Sequence, residues 1–482
     1  MSERIIDYLV NILWDTPLTF AIILTGIYFT IENRFFQINY LIYAFRNLFT
    51  VNFYIKAAKY LRENKSSIGA TSISIGSTVG IGSIGGVATA IAIGGPGAIF
   101  WMWIAAFFGM IIKTAEVTLA VYYRSKDKGG NIYGGPTAYI EKGIGIEMNF
   151  RSWLVPVAIF SIGITSTIFI SSQNYIASKA ISSTFGINIF IVSILYSAVV
   201  FLFIRRKAET IGRLFIFIIP VITGAYIIIG LIIMVADFRN IPSAIGLIIN
   251  DAFHGTSALG GFTGATLSQV ITMGVTQAVY SSEFGWGTSP IVHSVAKINH
   301  PVKQGLWGGF EVFFTTIICS ITAFVIILSG EWTSGQSGLV LSLNSFESFF
   351  GVFGRYIITI ILFFFALTTS IGWFTYNEII FRHLFRNRSL LKGRLINCLK
   401  FLYPFPEFLF VVYIAVFHLS EKYVWSLTNI TVAFPTFINI ISILILSNQF
   451  RKLVLDYKAR YLKIGKVDAD MHLFYEDKEK KA

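Results

Sequence analysis

The chain has 482 residues, of which 55% are hydrophobic and only 13% charged, with 46 Phe and a mean hydropathy of +0.69. That balance suits lipid and excludes a soluble domain. The net charge of +13 does not mark a nucleic-acid binder, because the basic residues fall in short runs between apolar segments, as in cytoplasmic loops.

The opening Met1-Ser-Glu-Arg-Ile-Ile-Asp-Tyr lacks a small-residue cleavage pattern, so no signal peptide is expected. Residues 5–14 mix apolar side chains with Asp7 and Asn11 and read as an interfacial helix. A hydrocarbon core takes about 20 apolar residues per helix. Eleven stretches suit this: 16–33, 68–93, 97–123, 153–177, 187–204, 214–236, 266–292, 305–329, 356–380, 402–418 and 425–447. Cys319 lies in a span and Cys398 in a basic loop, so neither a disulfide nor a metal site is expected.

Arg34, Arg46, Lys56, Lys59, Arg62 and Lys65 follow the first span, and Arg382, Arg386, Arg388, Lys392, Arg394 and Lys400 follow the ninth. With eleven alternating helices, Arg205, Arg206, Lys207 and Arg213, Lys297 and Lys303, and Arg451, Lys452, Lys458, Arg460 and Lys463 join the same side, which should be cytoplasmic. Loops 237–265 and 330–350 carry Asp237, Asp251, Glu331 and Glu347 instead. The amino terminus is expected outside and the carboxyl terminus inside, with residues 468–482 a charged, solvated or disordered tail.

Setting the first span aside leaves ten helices. Two halves of five, an odd number each, must have opposite topologies, which is an inverted repeat. The expected organisation is 1–65 for the interfacial segment, leading helix and basic loop, 66–240 and 241–450 for the two repeats, and 451–482 for the tail.

The first helix of each half carries a glycine-rich interruption: Gly76-Ser-Thr-Val-Gly-Ile-Gly-Ser-Ile-Gly-Gly86 and Ser281-Ser-Glu-Phe-Gly-Trp-Gly-Thr-Ser-Pro290. Freed backbone at membrane depth is tolerated where it is buried in protein or meets a ligand, and paired breaks point to a substrate site. Gly80-Ile-Gly-Ser-Ile-Gly85 matches G-x-G-x-x-G formally, but an apolar span follows it and no acidic residue does, so it is not a nucleotide loop. Close helix packing is the blander role for these glycines. The functional reading unwinds the helix near Thr78 to Gly82, offering carbonyls to a cation and the amides near Gly82 to Gly85 to a carboxylate. In the second segment Thr288-Ser289-Pro290 reads as a helix restart with a hydroxyl cap, leaving Ser281, Ser282, Phe284 and Gly285 facing the site.

Glu283, between those halves, is expected to bind a cation, carry a proton or serve as a structural hydrogen-bond acceptor. Lys113 and Glu116, at i,i+3 spacing, read as a structural pair. Ala366, Thr369 and Ser370 share a helix face and offer neutral oxygens suited to a monovalent cation such as Na⁺; back-bonding to their own helix is the alternative. Trp373 walls a small pocket or packs, and Gln173 and Asn174 reach the substrate or bond between helices.

The chain resembles the alanine or glycine:cation symporter family, also called sodium:alanine symporters, over about residues 10–465. The matching strings are Gly86-Val-Ala-Thr-Ala-Ile-Ala-Ile-Gly-Gly-Pro-Gly-Ala-Ile-Phe-Trp-Met-Trp103, Gly134-Gly-Pro-Thr-Ala-Tyr-Ile-Glu-Lys-Gly-Ile-Gly145, and Gly285-x-Gly-Thr-Ser-Pro-Ile291 with His300-Pro-Val-Lys-Gln-Gly305. The resemblance implies an all-α integral membrane protein with the LeuT-like fold, a 5+5 inverted repeat preceded by one additional helix. It implies Na⁺ ligands at the carbonyls of Gly76 and Val79 with Ala366, Thr369 and Ser370. It places substrate contacts around Thr78, Ile81, Gly82, Ser281, Phe284 and Gly285, with Gln173, Thr369 and Trp373 nearby.

The family's Gly-Asn-Ile-Ala-Gly is here Gly82-Ser-Ile-Gly-Gly86, its Ser-Asn-Glu-Ala-Gly is Ser281-Ser-Glu-Phe-Gly285, and an expected aspartate is Asn429. Phe284 in place of Ala should shrink or reshape the pocket. The expected activity is Na⁺-coupled import of a small neutral amino acid such as alanine or glycine, by a monomer in the cell membrane, without a cofactor. Proton coupling through Glu283 and a non-transporting amino-acid sensor are the alternatives. An enzyme is not expected, since the six His are scattered and no nucleophile–base set is visible.

Overall fold

The computed structural model describes residues 2–39 and 67–479, apart from 128, 129, 171, 207, 258, 260, 261, 337 and 469. Arg46, Lys56, Lys59, Arg62, Lys65 and Lys207, expected to mark cytoplasmic loops, lie outside the described residues.

Helix α1 (Ser2–Leu13) passes through a π-helical turn, Trp14–Leu18, into α2 (Thr19–Glu32). Pro17 has no amide to give the helical ladder, which suits the widened turn. The first broken helix is α3 (Ser67–Thr78) and α4 (Gly85–Gly94), whose axes bend by 45°. Next come α5 (Ala98–Tyr122), the hairpin β1 (Ser125–Lys126) and β2 (Ile132–Tyr133), and α6 (Pro136–Tyr139) running into a π segment, Ile140–Glu147. Helices α7 (Leu154–Ser166), α8 (Ser172–Phe185), α9 (Ile189–Ile204) and α10 (Ala208–Ala236) complete the first half.

After α11 (Ile241–His254), the second broken helix is α12 (Leu267–Ser282) and α13 (Ser289–His293). Then follow α14 (Pro301–Ser329), α15 (Gly338–Phe350), α16 (Val352–Leu384), α17 (Ser389–Leu402), α18 (Pro404–Val416), α19 (Glu421–Ile445), α20 (Ser447–Leu462) and α21 (Tyr475–Glu479).

The halves meet partner by partner: α5 packs along α14, α8 along α16 and α9 along α18. The broken helices run past each other head to tail, α4 on α12 and α3 on α13. Inverted repeats produce this pattern, since equivalent helices come together around one pseudo-twofold axis. The α5 span is 83% buried and Phe217–Ala236 of α10 only 28%, so α5 is a central post while α10 faces lipid.

Among the described residues, six stretches are long and apolar enough to cross a bilayer, and the bent pair α3–α4 makes a seventh. Helices α2, α7 and α9 are apolar but shorter.

Three expectations need correction. The stretch 153–177 is not one helix: α7 ends at Ser166 and α8 starts at Ser172. There Ser166 Oγ and Thr167 Oγ1 each donate at 2.6 Å to the carbonyls of Gly163 and Ile164, and such local bonds loosen a helix. Lys392, Arg394 and Lys400 sit on α17, which with α18 forms the continuous stretch Ser389–Val416, rather than in a loop. The end of the chain is docked as well as charged. Glu476 lies 3.6 Å from Arg124 and 3.7 Å from Lys126, Arg124 covers the Phe474 ring at 4.6 Å, and Tyr475 is only 6% exposed. Aromatic area buried under the basic side chains offsets the loss of tail freedom.

Candidate functional site

The α3 ladder ends with the Val79 amide donating to the Ile75 carbonyl at 2.7 Å, and the next turn begins with the Ser83 amide on the Gly80 carbonyl at 3.2 Å. Among the described residues, no backbone hydrogen bond takes the carbonyls of Gly76 to Val79 between those two. Gly80 lets α16 come close, since a Cβ there would stand 2.4 Å from Thr369 Oγ1. That hydroxyl is buried and has no hydrogen-bond partner.

The far side of the turn is held by neighbouring helices. Gln277 donates to the Gly82 carbonyl at 2.6 Å, Thr322 to that of Ser83 at 2.7 Å and Ser342 to that of Ile84 at 3.1 Å. Thr78 Oγ1 donates to Glu311 at 2.8 Å, and Ile81 is fully buried.

At the second break Glu283 adopts φ 52°, followed by Gly285 at 74° and Gly287 at 83°. A non-glycine residue in this region costs about 1–3 kcal/mol and persists where its surroundings over-determine it. Glu283 Oε1 accepts from Trp373 Nε1 at 3.0 Å, and Oε2 accepts from Thr288 at 2.7 Å and Tyr376 at 2.9 Å. Thr288 therefore spends its hydroxyl on Glu283 and does not cap α13 as expected. Lys113 donates to the Ser282 carbonyl at 2.9 Å, while Glu116 accepts from the Gly285 amide at 3.3 Å and from Asn439 at 2.6 Å. The expected Lys113–Glu116 pair is thus divided between different partners on the same break.

The remaining expected residues fall in several places. Ser281 back-bonds to the Gln277 carbonyl at 2.7 Å. The Phe284 ring occupies space left by Gly109 of α5, where a Cβ would be 2.4 Å away, so it fills a helix interface. Gly76 has its missing side chain directed at Ile219 of α10. Ser370 Oγ shares a hydrogen bond with Tyr196 at 2.9 Å and donates to Glu407 at 3.1 Å, while neighbouring Thr369 turns to the break. Ala366 is fully buried on α16.

Trp373 stands edge-on to Trp286, with ring centres 5.5 Å apart. Gln173 adjoins Ser172, which shares a 2.9 Å hydrogen bond with Tyr280, and its Oε1 has no partner. Asn174 bonds Ser197 at 2.9 Å between helices.

Gln277, Tyr280, Trp286 and Glu311 line or support the breaks and were not singled out from the sequence. Glu311 had a signal, as a carboxylate inside an apolar span. Among the described residues, no group of three or more His, Cys, Asp or Glu is placed to hold a metal ion. The freed carbonyls and the Thr369 hydroxyl are neutral oxygens, a donor chemistry suited to a monovalent cation carried as cargo.

The family model described as the sodium:alanine symporter family matches residues 1–470. The sodium/alanine symporter AgcS of Methanococcus maripaludis is 32% identical, covering 79% of this chain and 83% of its own. The probable sodium/glutamine symporter GlnT of Bacillus subtilis is 32% identical, covering 98% and 94%. A Na⁺-coupled sialic acid symporter of known structure shares the LeuT-like fold, with a TM-score of 0.54 at 13% identity over 94% of this chain and 92% of that one. The protein is therefore a multi-pass membrane transporter and not an enzyme, and it belongs to the sodium:alanine symporter family.

Proposed function

We propose that the chain imports a small neutral amino acid such as alanine or glycine together with Na⁺ by alternating access. The observation that carries the ion site is Thr369 Oγ1, buried and unpartnered beside the opened backbone of the first break. In this reading the carbonyls of Gly76, Val79 and Ala366 and the hydroxyls of Thr369 and Ser370 hold Na⁺, and Ser370 keeps a lone pair for the ion while bonding Tyr196 and Glu407.

The amino acid lies between Thr78, Ile81 and Gly82 on one side and Ser281, Phe284 and Gly285 on the other, with Gln173, Thr369 and Trp373 nearby. Phe284 contributes backbone, because its ring is engaged by α5. Ion and substrate together favour one arrangement of the breaks, and that differential affinity drives the cycle. Glu283, with donors on both carboxylate oxygens, serves as the tie between the second break and α16 rather than as a proton carrier. Repeats at 66–240 and 241–450, an outside amino terminus, an inside carboxyl terminus and a monomeric state complete the proposal.

The test is uptake of radiolabelled alanine, glycine and glutamine into proteoliposomes under a Na⁺, K⁺ or pH gradient. Accumulation of alanine or glycine under Na⁺ alone supports the proposal. A requirement for the pH gradient that disappears in Glu283→Gln would replace it with proton coupling. Saturable amino-acid binding with no flux under any gradient would leave a sensor.

A further inference from the structure

Glu311, on α14, is fully buried and bonds to two half-helices at once. From α3, Ser74 Oγ and Thr78 Oγ1 both donate to Oε1 at 2.8 Å. From α13, Ser289 Oγ lies 3.1 Å and His293 Nε2 3.2 Å from Oε2. Ser74 and Ser289 also share a hydrogen bond of 2.6 Å, joining α3 directly to α13 beneath the carboxylate.

Two turns earlier on α14, Gln304 repeats the arrangement, donating to Thr71 of α3 at 3.0 Å and meeting His293 Nδ1 of α13 at 2.7 Å. The imidazole therefore spans both tiers, accepting from Gln304 at Nδ1 and donating to Glu311 at Nε2. Lys113 of α5 stands 3.7 Å from Glu311 Oε2 and supplies a counter-charge. Glu116 of α5 and Glu283 of the second break are the other buried carboxylates near it, each with its own donors.

The other halves, α4 and α12, have no part in this cluster; Gln277 of α12 bonds instead to the Gly82 carbonyl, in the turn before α4. A buried carboxylate with donors from two elements separates from either only by leaving part of its charge unsatisfied.

We propose that Glu311 is a positioning residue of the transport cycle, tying α3 and α13 to α14 so that the two half-helices shift in step. This rests on the transport reading above. Because Gly76 lies on α3, Val79 directly follows it and α13 ends the second break, a cation bound there would be felt at α13 through Ser74, Ser289 and Glu311. That linkage prevents one half from opening while the other stays shut, so ion and substrate cannot slip separately.

The test uses the full chain in lipid nanodiscs with Cys398→Ser, the buried Cys319 serving as the unlabelled background. Ala70→Cys on α3 and Ala296→Cys just past α13, 5% and 1% exposed, report opening by their rate of reaction with an impermeant maleimide. In the parent both rates should change together on Na⁺ addition. Glu311→Gln should separate them, one site reacting at least about fivefold faster than the other relative to the parent, the lower range for coupling between two sites.

Ser289→Ala, a milder change, should separate them in the same direction. Adding Ser74→Ala to Ser289→Ala should give less than the sum of the single effects. Rates that stay in step in both Glu311→Gln and Ser289→Ala would overturn the proposal, and if Glu311→Gln does not fold, Ser289→Ala decides alone. Labelling needs no transported substrate, so failure of amino-acid uptake would sink the transport reading while the joint movement is judged separately.

Discussion

Gln277 donates its side-chain amide to the Gly82 carbonyl at 2.6 Å, so the helix before the second break closes the turn of the first. The two breaks are therefore one structural unit. Gln277→Leu keeps the bulk but leaves that buried carbonyl unsatisfied, a loss of about 1–3 kcal/mol. The thermal midpoint of the detergent-solubilised protein should fall and amino-acid affinity weaken, measured by melting and by a binding isotherm. Unchanged values would separate the two breaks.

Thr369→Val replaces the unpartnered hydroxyl with a methyl of similar size. Removing an unpaired polar group from a buried site is neutral or stabilising, so the melting temperature should hold or rise. The Na⁺ concentration for half-maximal uptake should rise by about tenfold, corresponding to roughly 1.4 kcal/mol for one lost hydroxyl ligand. Unchanged Na⁺ dependence would remove Thr369 from the ion site.

Arg124 joins the end of the chain to the exit of α13, pairing with Glu476 while its Nη1 donates to the Ala296 carbonyl. Deleting residues 471–482 uncovers the guanidinium and the Tyr123 ring, which faces Tyr475 with centres 5.5 Å apart. Proteolysis at the β1–β2 hairpin should quicken severalfold, with fragments identified by mass spectrometry. Glu476→Gln should act in the same direction more weakly, because a partly exposed ion pair contributes only about 1 kcal/mol or less.

His300, just before the α14 span, gives the pH prediction. Burial pushes its imidazole down from 6.5 to about 4, against the pull of Asp456 at 3.2 Å. The folded protein thus holds it neutral while the unfolded chain protonates it sooner. The contribution is intact above pH 6.5 and stability falls as pH drops from there toward 4. His300→Asn, which retains a capping side chain for the Val302 amide, should flatten that part of a melting-temperature profile. An unaltered slope would assign the acid sensitivity elsewhere.

Hydropathy and glycine placement were enough to locate both broken helices, because backbone freed inside a bilayer demands residues that show in a linear string. The break between α7 and α8 was missed, since Thr165-Ser-Thr inside an apolar run has the same composition as an ordinary span. The tail was misread for a related reason. Its charge is plain, but the basic surface beneath Phe474 and Tyr475 is assembled from residues more than 300 positions earlier.

Sequence alone determined that this is a multi-spanning membrane protein with two related halves, what kind of backbone lies at its centre, and its family resemblance. These are local properties, set by side-chain transfer energies and by which residues permit φ above zero. Only the tertiary structure decided the partners of the buried polar groups: Phe284 set on Gly109, Thr288 turned to Glu283, Ser370 to Tyr196 and Glu407, and Glu311 bridging α3 and α13. In a low-dielectric interior each donor and acceptor must find a partner across the fold, and spacing along one helix does not reveal which helix will supply it.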